Sequence, residues 1–557
     1  MTAHPTPVRE APRRLPPLGA PTLSAFVLLG ALGAASVGLA PAPASAQEAI
    51  TTEHMASFFP RAIGPAVTGG RIHDVEALPN DPSTILLGSA SGGLWKTTNR
   101  GQTWVNTFAD MPVSTFGDIA ISRSNPNVVY AGTGEQQNRQ SSSYGNGVYR
   151  SDDGGDTWRH LGLEQTRHTG KVLIHPTDPN TVWVGALGNL WAGSEERGVY
   201  KSTDGGRSWR KVHYVDEHTG VIDMAIDPSN PSVLYAATYQ RLRRAWGFNG
   251  GGPGSGIWKS TDGGETWNRL SGGLPGGELG RIGIALAESN PRVLMALVES
   301  PDDDEQGVWR TEDAGMSWER VNRQNIRPMY YSHIFIDPTD DRRVYTLATR
   351  SYTSADGGRT FEQIALAPTY DVGIHADHHG LWIDPNDPEH LYLVGDAGMH
   401  ESYDRGQNFR RMNNFPIAQF YAITVDMQDP YWVYGGLQDN HSFFGPSETR
   451  RWAGILNDDW MQNGFGDGMY WQSDPSDPRY AYGSSNGGSY HRYDTRTGDI
   501  LDISPEPPLG ESYRFDWTSP MMLSQHDPNV LYVAGNRLFI SKDRGSSWTS
   551  TADLSRR

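Results

Sequence analysis

The chain has 557 residues, of which 64 are glycine and 37 are proline, and it contains no cysteine. A formal net charge of -17 argues against a protein that binds nucleic-acid phosphates or an anionic membrane surface. The absence of cysteine excludes disulfides, thiolate metal sites and cysteine nucleophiles, while frequent Gly and Pro indicate many tight turns.

The N-terminal 46 residues have the pattern of a secretory signal. A basic start that includes Arg13 and Arg14 precedes an apolar stretch from Leu23 to Ala40. The sequence Ala44-Ser45-Ala46 then offers the small residues of a signal peptidase site. The apolar run is short and weakly hydrophobic for a membrane anchor. We therefore predict a signal peptide over 1–46 and a secreted or periplasmic protein without membrane insertion, followed by a lead-in at 47–65 that could supply a ring-closing strand.

After the signal, a short pattern recurs eight times: Ser/Thr, x, Asp/Asn, x, Gly, x, Ser/Thr/Asn, aromatic. Short polar side chains hydrogen-bond nearby amides in a turn, and Gly allows a positive φ there. The aromatic residue begins the next strand and has a large apolar surface to bury. We call this pattern the box and predict that it is a structural hairpin turn. The boxes begin at Thr97, Ser151, Ser202, Ser260, Thr311, Ser354, Ser402 and Ser541.

A second pattern, Asn or Asp followed by Pro and then a β-branched or aromatic strand, occurs ten times. Its spacing of about 50 residues matches one four-stranded propeller blade. We therefore predict an all-β propeller of about ten blades, in which the repeats near Tyr421 and Gly468 lack the box. The pairs begin at Asp81, Asn125, Asp178, Asn230, Asn290, Asp337, Asp387, Asp429, Asp477 and Asp527.

The boxes resemble the Asp-box, or bacterial neuraminidase repeat, of sialidases, family-74 glycoside hydrolases and sortilin-type receptors. From Phe58 onward the chain looks most like secreted bacterial propellers of the sortilin-like and glycosyl-hydrolase-like group. The stretches 378–385 and 434–440 carry this resemblance most clearly. Because those relatives are usually longer, the resemblance leads us to expect a chain that is incomplete at Arg557.

Ten blades allow two arrangements. One is a seven-bladed ring over 66–412 followed by the start of a second propeller over 413–557, as the tandem propellers of family 74 suggest. The other is a single ten-bladed ring like that of sortilin. Because the boxes mark seven repeats without a gap and then vanish for two, the sequence favours the first arrangement.

The meander fixes which loops share a face. The boxes and the Asn/Asp-Pro turns lie on one face, and the loops after strand 2 and before strand 1 lie on the other. We expect the site on this second face, because its loops are long and irregular. Its candidate acids or bases are Glu135, Asp377, Asp396, Asp439 and Asp467. Its candidate substrate-binding residues are Arg139, Trp191, Trp246, His375, His378, Gln438 and Trp460.

The stretch His375–His379 offers three imidazoles and a carboxylate, which could bind a divalent metal. Along a strand, however, His375, Asp377 and His379 point one way and His378 the other. We therefore favour a hydrogen-bonded network over a metal site, and we predict no cofactor.

Family-74 enzymes carry their base in a Thr-Asp-x-Gly-Gly motif, and the matching stretch here is 89–93, with Ala90 at the carboxylate position. This departure argues against xyloglucanase activity. The leading function is recognition of an extracellular glycan, with glycoside hydrolysis left open. The alternative is a non-catalytic, sortilin-like propeller that binds peptides or proteins.

Overall fold

The computed structural model describes residues 51–55, 58, 61–64, 69–364, 374–412, 414–464 and 466–555. The chain divides into two compact units, Met1–Arg61 and Ala62–Arg557. In the first unit the described structure is helix α1 (Thr52–Met55), and the predicted signal peptide lies outside the described residues. No helix in the described part of the chain is long and apolar enough to cross a membrane.

The second unit consists of four-stranded antiparallel sheets in which consecutive strands are neighbours, apart from one inserted hairpin, and it confirms the predicted β-propeller fold. We number the sheets as blades in chain order. A 3-10 helix at Glu164–Thr166 connects blades 2 and 3. Blade 1 comprises β1 (Ile72–Leu78), β2 (Asp81–Ser89), β3 (Leu94–Thr97) and β4 (Val105–Asn106); blade 2 comprises β5 (Phe116–Ile121), β6 (Val129–Thr133), β7 (Val148–Ser151) and β8 (Arg159–His160); blade 3 comprises β9 (Thr169–Ile174), β10 (Val182–Ala186), β11 (Gly198–Ser202) and β12 (Arg210–His213).

Blade 4 carries the inserted hairpin, β15 (Leu242–Arg244) with β16 (Gly247–Asn249), between its second and third strands. From the repeat pattern we predict strands at 221–226, 233–235 and 257–259 of this blade, and these overlap β13, β14 and β17. Blade 4 comprises β13 (Thr219–Ile226), β14 (Leu234–Gln240), β17 (Gly256–Ser260) and β18 (Asn268–Arg269); blade 5 comprises β19 (Ile282–Leu286), β20 (Leu294–Val298), β21 (Gly307–Thr311) and β22 (Glu319–Asn322); blade 6 comprises β23 (His333–Asp337), β24 (Asp340–Leu347), β25 (Tyr352–Ser354) and β26 (Glu362–Gln363); blade 7 comprises β27 (His378–Ile383), β28 (Leu391–Gly395), β29 (Gly398–Ser402) and β30 (Arg410–Met412).

The last three sheets repeat the same meander, and in blade 8 a loop with a 3-10 helix at Asn457–Asp459 replaces the box. Blade 8 comprises β31 (Phe420–Val425), β32 (Trp432–Leu437), β33 (Ser442–Pro446) and β34 (Met461–Asn463); blade 9 comprises β35 (Gly468–Ser473), β36 (Tyr480–Ser485), β37 (Ser489–Asp494) and β38 (Ile500–Asp502); blade 10 comprises β39 (Met521–Leu523), β40 (Leu531–Ala534), β41 (Leu538–Ser541) and β42 (Thr549–Ser550).

The first seven blades close into a ring. Each inner strand contacts the next from β1 to β27, and β27 contacts β1 again. A hydrophobic seam joins Ile72 and Leu87 of blade 1 to Trp382 and Tyr392 of blade 7. The inner strands of blades 8 to 10 contact one another in sequence. The structure thus has the seven-bladed closure and not the ten-bladed ring, while the exact domain boundaries that we placed at 46, 65 and 412 stay predictions.

The box is a turn held by its own side chains, as the third box, which lies in blade 3, illustrates. Ser202 Oγ accepts a hydrogen bond from Gly206 N at 2.9 Å and donates one to Asp204 Oδ1 at 2.8 Å. Asp204 Oδ1 also accepts from Ser208 N at 3.0 Å, and Gly206 has a φ of +83°. These bonds satisfy turn amides locally, so the box stabilises a hairpin.

Carboxylates on the inner strands tie neighbouring blades together. Asp74 Oδ2 accepts from Ile119 N at 2.6 Å, and Asp118 Oδ2 accepts from Val172 N at 2.7 Å. Lys171 Nζ lies 2.6 Å from Asp118 Oδ1. Each carboxylate therefore satisfies an amide of the next inner strand, and this arrangement keeps the ring centre polar.

Candidate functional site

Arg71, which directly precedes β1, is the centre of a buried charge cluster. Its Nε donates to Asp396 Oδ1 at 2.9 Å, its Nη1 to Glu135 Oε1 at 3.4 Å, and its Nη2 to Asp439 Oδ2 at 3.4 Å. The three acids come from blades 7, 2 and 8. One guanidinium group with its several donors therefore links the ring to blade 8.

Loops at the ends of the strands place three aspartates close to Arg71. Asp396 lies between β28 and β29, and Asp439 lies between β32 and β33 with a φ of +64°. Asp377, directly before β27, has a φ of +68°. Carboxylate oxygens of Asp377, Asp396 and Asp439 lie within 4.8 Å of one another. We call these three residues the carboxylate cluster.

The acids around Arg71 differ in exposure and protonation. The Asp396 and Glu135 side chains are 4% and 2% exposed, whereas that of Asp439 is 22% exposed. Burial, together with the charge of Asp396, raises the pKa of Asp439 to about 8. Burial also acts to raise the pKa of Asp396, but the charges of Arg71 and His379 outweigh it and hold that pKa well below its usual range. At neutral pH the cluster therefore presents a protonated Asp439 beside an ionised Asp396.

Glu135 is held ionised in a similar way. Burial alone would raise its pKa, but its hydrogen bond to His73 and the charge of Arg71 lower the pKa to about 2. His73 Nε2 lies 3.4 Å from Glu135 Oε1, and burial lowers the pKa of this histidine to about 4. Glu135 is therefore a buried counter-charge for Arg71.

The three histidines of 375–379 lie on two sides of the chain, as the alternation of side chains along a strand predicts. His375 Nε2 lies 3.2 Å from Asp439 O, and His379 Nε2 lies 2.7 Å from Asp396 Oδ1. His378, which we selected as a binding residue, points to the other side, where its Nδ1 lies 2.8 Å from Ser351 Oγ. Because successive side chains of a strand face opposite ways, His378 lies away from the carboxylate cluster, and its role in binding stays a prediction. The same rule applied more strictly would have selected His379.

Blades 8 to 10 add two exposed aromatic side chains, Tyr421 and Trp517, next to the carboxylate cluster, and we call this pair the aromatic wall. Asp467 Oδ1 accepts from Asp439 N at 3.1 Å, and Asp467 Oδ2 accepts from Tyr421 Oη at 2.8 Å and Trp517 Nε1 at 3.2 Å. Tyr421 and Trp517 are 40% and 55% exposed. Asp467 thus holds two open aromatic side chains in place. The sequence already places Trp517 in or near the ligand-face loops, whereas Tyr421 was not among our selected binding residues.

A loop at residues 135–143, which we call the plug loop, closes the centre of the ring on this face. Asn138 Nδ2 donates to Tyr239 Oη of blade 4 at 2.7 Å, and Arg139 Nη1 donates to Tyr330 Oη of blade 6 at 2.9 Å. Gln136 lines one end of a cavity of about 300 Å³ that continues along the inner strands. The plug loop therefore places Arg139 among the residues near Arg71, as its electrostatic effect on Asp396 also indicates.

The other selected binding residues have different surroundings. Trp460 is buried against Leu437, and its Nε1 donates to Ile63 O at 2.9 Å, so it packs in the core and its role in binding stays a prediction. Trp246 is 87% exposed beside the β15–β16 turn, and Trp191 O accepts from Arg244 at 2.8 Å. Gln438 is buried and precedes Asp439, and its backbone N donates to Gln419 O at 2.9 Å.

Asp377, Asp396 and Asp439 offer the oxygen ligands that hard divalent cations use. Arg71 already donates to two of these three carboxylates. A cation at this position would therefore compete with the guanidinium group.

The comparisons with known proteins agree with this architecture. The family model "Sortilin, neurotensin receptor 3" matches residues 146–281. Xyloglucanase Xgh74A of Acetivibrio thermocellus is 24% identical over 307 residues, which cover 48% of this chain and 34% of that enzyme. A Paenibacillus sp. xyloglucanase is 27% identical over 272 residues, covering 48% of this chain and 22% of its own length. The chain thus spans about a third or less of these curated relatives.

Solved structures show the same fold. The GH74 xyloglucanase of Xanthomonas campestris superposes with a TM-score of 0.59 at 15% identity, covering 88% of this chain and 81% of that one. The GH74 enzyme of Niastella koreensis gives a TM-score of 0.50 at 14% identity, with 88% and 80% covered. The predicted resemblance is confirmed. This chain is a propeller with distant similarity to family-74 xyloglucanases and a local match to the sortilin family.

Ala90, which the resemblance matches to the family-74 base, lies next to the backbone of Arg71. Ala90 is 2% exposed, and its amide donates to Arg71 O at 3.0 Å. The acidic groups found near Arg71 therefore come from other positions of the sequence, and any hydrolytic chemistry here would need different residues in those roles.

Proposed function

We propose that this protein binds a glycan at the carboxylate cluster and that Asp439 donates a proton to the glycosidic oxygen. The observation that carries the proposal is the contrast between Asp439 and Asp396. Asp439 is protonated at neutral pH and part-exposed, whereas its neighbour is ionised and buried. A pair of carboxyl groups with separated pKa values is the usual basis of acid catalysis in glycoside hydrolysis.

The spacing of the acids limits the kind of hydrolysis. Inversion needs a gap of roughly 6.5–9.5 Å between the two carboxyl groups, so that a water molecule fits, whereas retention needs about 5 Å. Oxygens of Asp377 and Asp439 lie within 4.8 Å of each other. This spacing favours direct participation of a carboxylate. Asp377 is the better choice for that role, because it is half-buried and accepts from Tyr331 Oη, while Asp396 is buried and is engaged by both Arg71 and His379.

The aromatic wall supplies the binding surface that the acids lack. Tyr421 and Trp517 present open rings, and both are oriented by hydrogen bonds to Asp467. Aromatic faces stack on the apolar faces of sugar rings. A glycan lying on this wall would reach Asp439, whose amide is bonded to the same Asp467. Because the predicted ligand is extracellular, export through the signal at 1–46 is part of this proposal.

The second candidate is a non-catalytic propeller that binds a peptide or protein, and the sortilin match over 146–281 favours it. That segment runs from blade 2 to the start of blade 5 and does not contain the carboxylate cluster. The plug loop fills the ring centre with polar contacts. These contacts leave little apolar lining for a peptide inside the ring, so we place glycan binding first.

A polysaccharide panel tests the proposal, with binding and reducing-end release measured separately. We expect the wild type to bind and cleave one class of glycan. Asp439→Asn should lower release by about 100-fold or more and leave binding largely intact, since a proton donor contributes about that much. The matched control is Asp110→Asn, an exposed acid outside the site. Unchanged release in Asp439→Asn would refute the proton-donor role, and a wild type that binds no glycan would refute the function itself.

A further inference from the structure

Three arginines near the plug loop are buried, and among the described residues no carboxylate contacts their guanidinium groups. Arg197, Arg241 and Arg281 are 0%, 0% and 2% exposed. Within the described residues their guanidinium groups donate to neutral oxygens, while Glu299 Oε2 accepts from the backbone N of Arg281 at 2.7 Å. Arg241 Nη1 donates to Gln136 O at 2.7 Å and to Asn138 Oδ1 at 2.8 Å, and Arg197 donates to backbone carbonyls. A buried cation normally has a carboxylate or another anion as its partner.

Several of their donors have no hydrogen-bond partner at all among the described residues. These are Nε and Nη2 of Arg241, Nη1 of Arg281 and Nε of Arg197. His168 adds an unpartnered Nε2, while its Nδ1 lies 2.7 Å from Glu135 O. Leaving so many buried N–H groups unpaired is costly, and native proteins satisfy such groups with water, ions or protein atoms.

Two of these arginines hold the same residue of the plug loop. Arg241 donates to the backbone oxygen of Gln136, and Arg281 Nη2 donates to its side-chain Oε1 at 3.0 Å. Burial and the charges of Arg197 and Arg281 lower the pKa of Arg241 to about 9. The charge of Glu135 acts on Arg241, but this acid already contacts Arg71. The guanidinium groups under Gln136 are therefore hydrogen-bonded to neutral oxygens and not to a carboxylate.

We propose that a small monovalent anion of the chloride class binds beneath Gln136, between Arg241 and Arg281. The position of Arg241 sets the size of the anion. Gln136 and Arg281 line the cavity of about 300 Å³, whereas Arg241 is completely buried behind Gln136, so a larger ligand would contact both arginines only by displacing the plug loop. The anion would satisfy the free guanidinium donors and neutralise part of their charge. It would thereby hold the plug loop, whose first residue is Glu135, and would help to place that acid beside Arg71. This inference does not depend on the glycan activity.

Thermal unfolding in sodium chloride and in sodium gluconate at matched ionic strength tests the proposal. We expect a higher Tm in chloride, by a few degrees, and a rise that saturates with concentration, because a ligand of the folded state stabilises it by mass action. Bromide should substitute for chloride, and gluconate should not, because it is too large for the enclosed position. Arg241→Met should abolish the difference between the salts. The matched control Arg207→Met, at an exposed box position, should keep it.

Hydrogen exchange on the wild type gives a second measurement that does not need the variant to fold. Chloride should slow exchange in residues 136–138 relative to gluconate and leave the box turns unchanged. Crystals soaked in bromide should show an anomalous peak beside Arg241. Equal Tm values and equal exchange in the two salts would overturn the proposal, as would a chloride effect that persists in Arg241→Met.

Discussion

The inner strands of the closed ring and of blades 8 to 10 have similar sequences and different environments. In β13 of the ring, Ile222 and Met224 are 2% and 3% exposed. In β31 of blade 8, Ile423 and Val425 are 68% and 55% exposed. β13 packs between the inner strands of two neighbouring blades, while β31 contacts β35 on one side. An apolar inner strand therefore indicates a blade, but its burial depends on how many neighbouring blades cover it.

Arg71 connects the two regions, and its loss should have the largest effect. Arg71→Met leaves Glu135 and Asp396 buried without their cation, which should destabilise the ring by about 3–5 kcal/mol. Urea unfolding measures this change. The control Arg123→Met breaks the largely exposed ion pair with Glu288 and should cost about 0–1 kcal/mol. Similar losses for both variants would show that the carboxylates near Arg71 are solvated.

A matched pair of substitutions tests the difference between the two regions directly. Ile222→Ala removes buried methyl groups in the closed ring and should cost about 2–5 kcal/mol. Ile423→Ala removes the same groups from an exposed position and should change stability by less than about 0.5 kcal/mol. Both are measured as shifts of the urea midpoint at constant slope. A large loss in Ile423→Ala would mean that another surface covers β31 in solution.

The ring was predictable because its signals are local. Each box contains its own hydrogen bonds, and the Asn/Asp-Pro spacing gives the blade length, so the strands of blade 4 could be placed from sequence. Closure after seven blades was favoured only through the gap in the boxes. The contact of β27 with β1 that establishes it joins strands roughly 300 residues apart.

The site was predictable in part. Connectivity places Glu135, Asp396 and Asp439 on one face, and the structure brings all three to Arg71. Arg71 belongs to no motif, and its partners lie 64, 325 and 368 residues away, so nothing local predicts that it lies at the centre of these acids. Trp460 looked like a ligand-face aromatic because its burial depends on Ile63, a residue outside the repeats.

Protonation of Asp439, the blade 8 residue that contacts Arg71 of the ring, predicts that folding stability depends on pH. Its folded-state pKa of about 8 lies above the unfolded value, so the folded protein keeps a proton that the unfolded chain loses. Wild-type stability should therefore fall as pH rises from about 4 to 8, by at most about 1.4 kcal/mol per pH unit. Asp439→Asn should show a shallower fall, as urea midpoints across that range would show, because the raised pKa values of Asp118 and Glu299, each about 7, still contribute. Parallel pH profiles for wild type and Asp439→Asn would contradict the raised pKa, and Asp110→Asn should follow the wild type.

The smallest expected effect is a difference in stability loss between two turn substitutions, one in a box of the ring and one in the turn of blade 9 that lacks the box. Ser202 is 2% exposed, and its Oγ accepts from Gly206 N and Asp204 N, so Ser202→Ala leaves two turn amides without their acceptor. The loss should be about 1–2 kcal/mol. In blade 9, Thr497 Oγ1 donates to Asp499 at an exposed turn, and Thr497→Ala should change stability by less than about 0.5 kcal/mol. Urea midpoints for the two variants measure the difference. Equal small losses would mean that water replaces the Ser202 hydroxyl, and that the box contributes through its Gly and aromatic positions instead.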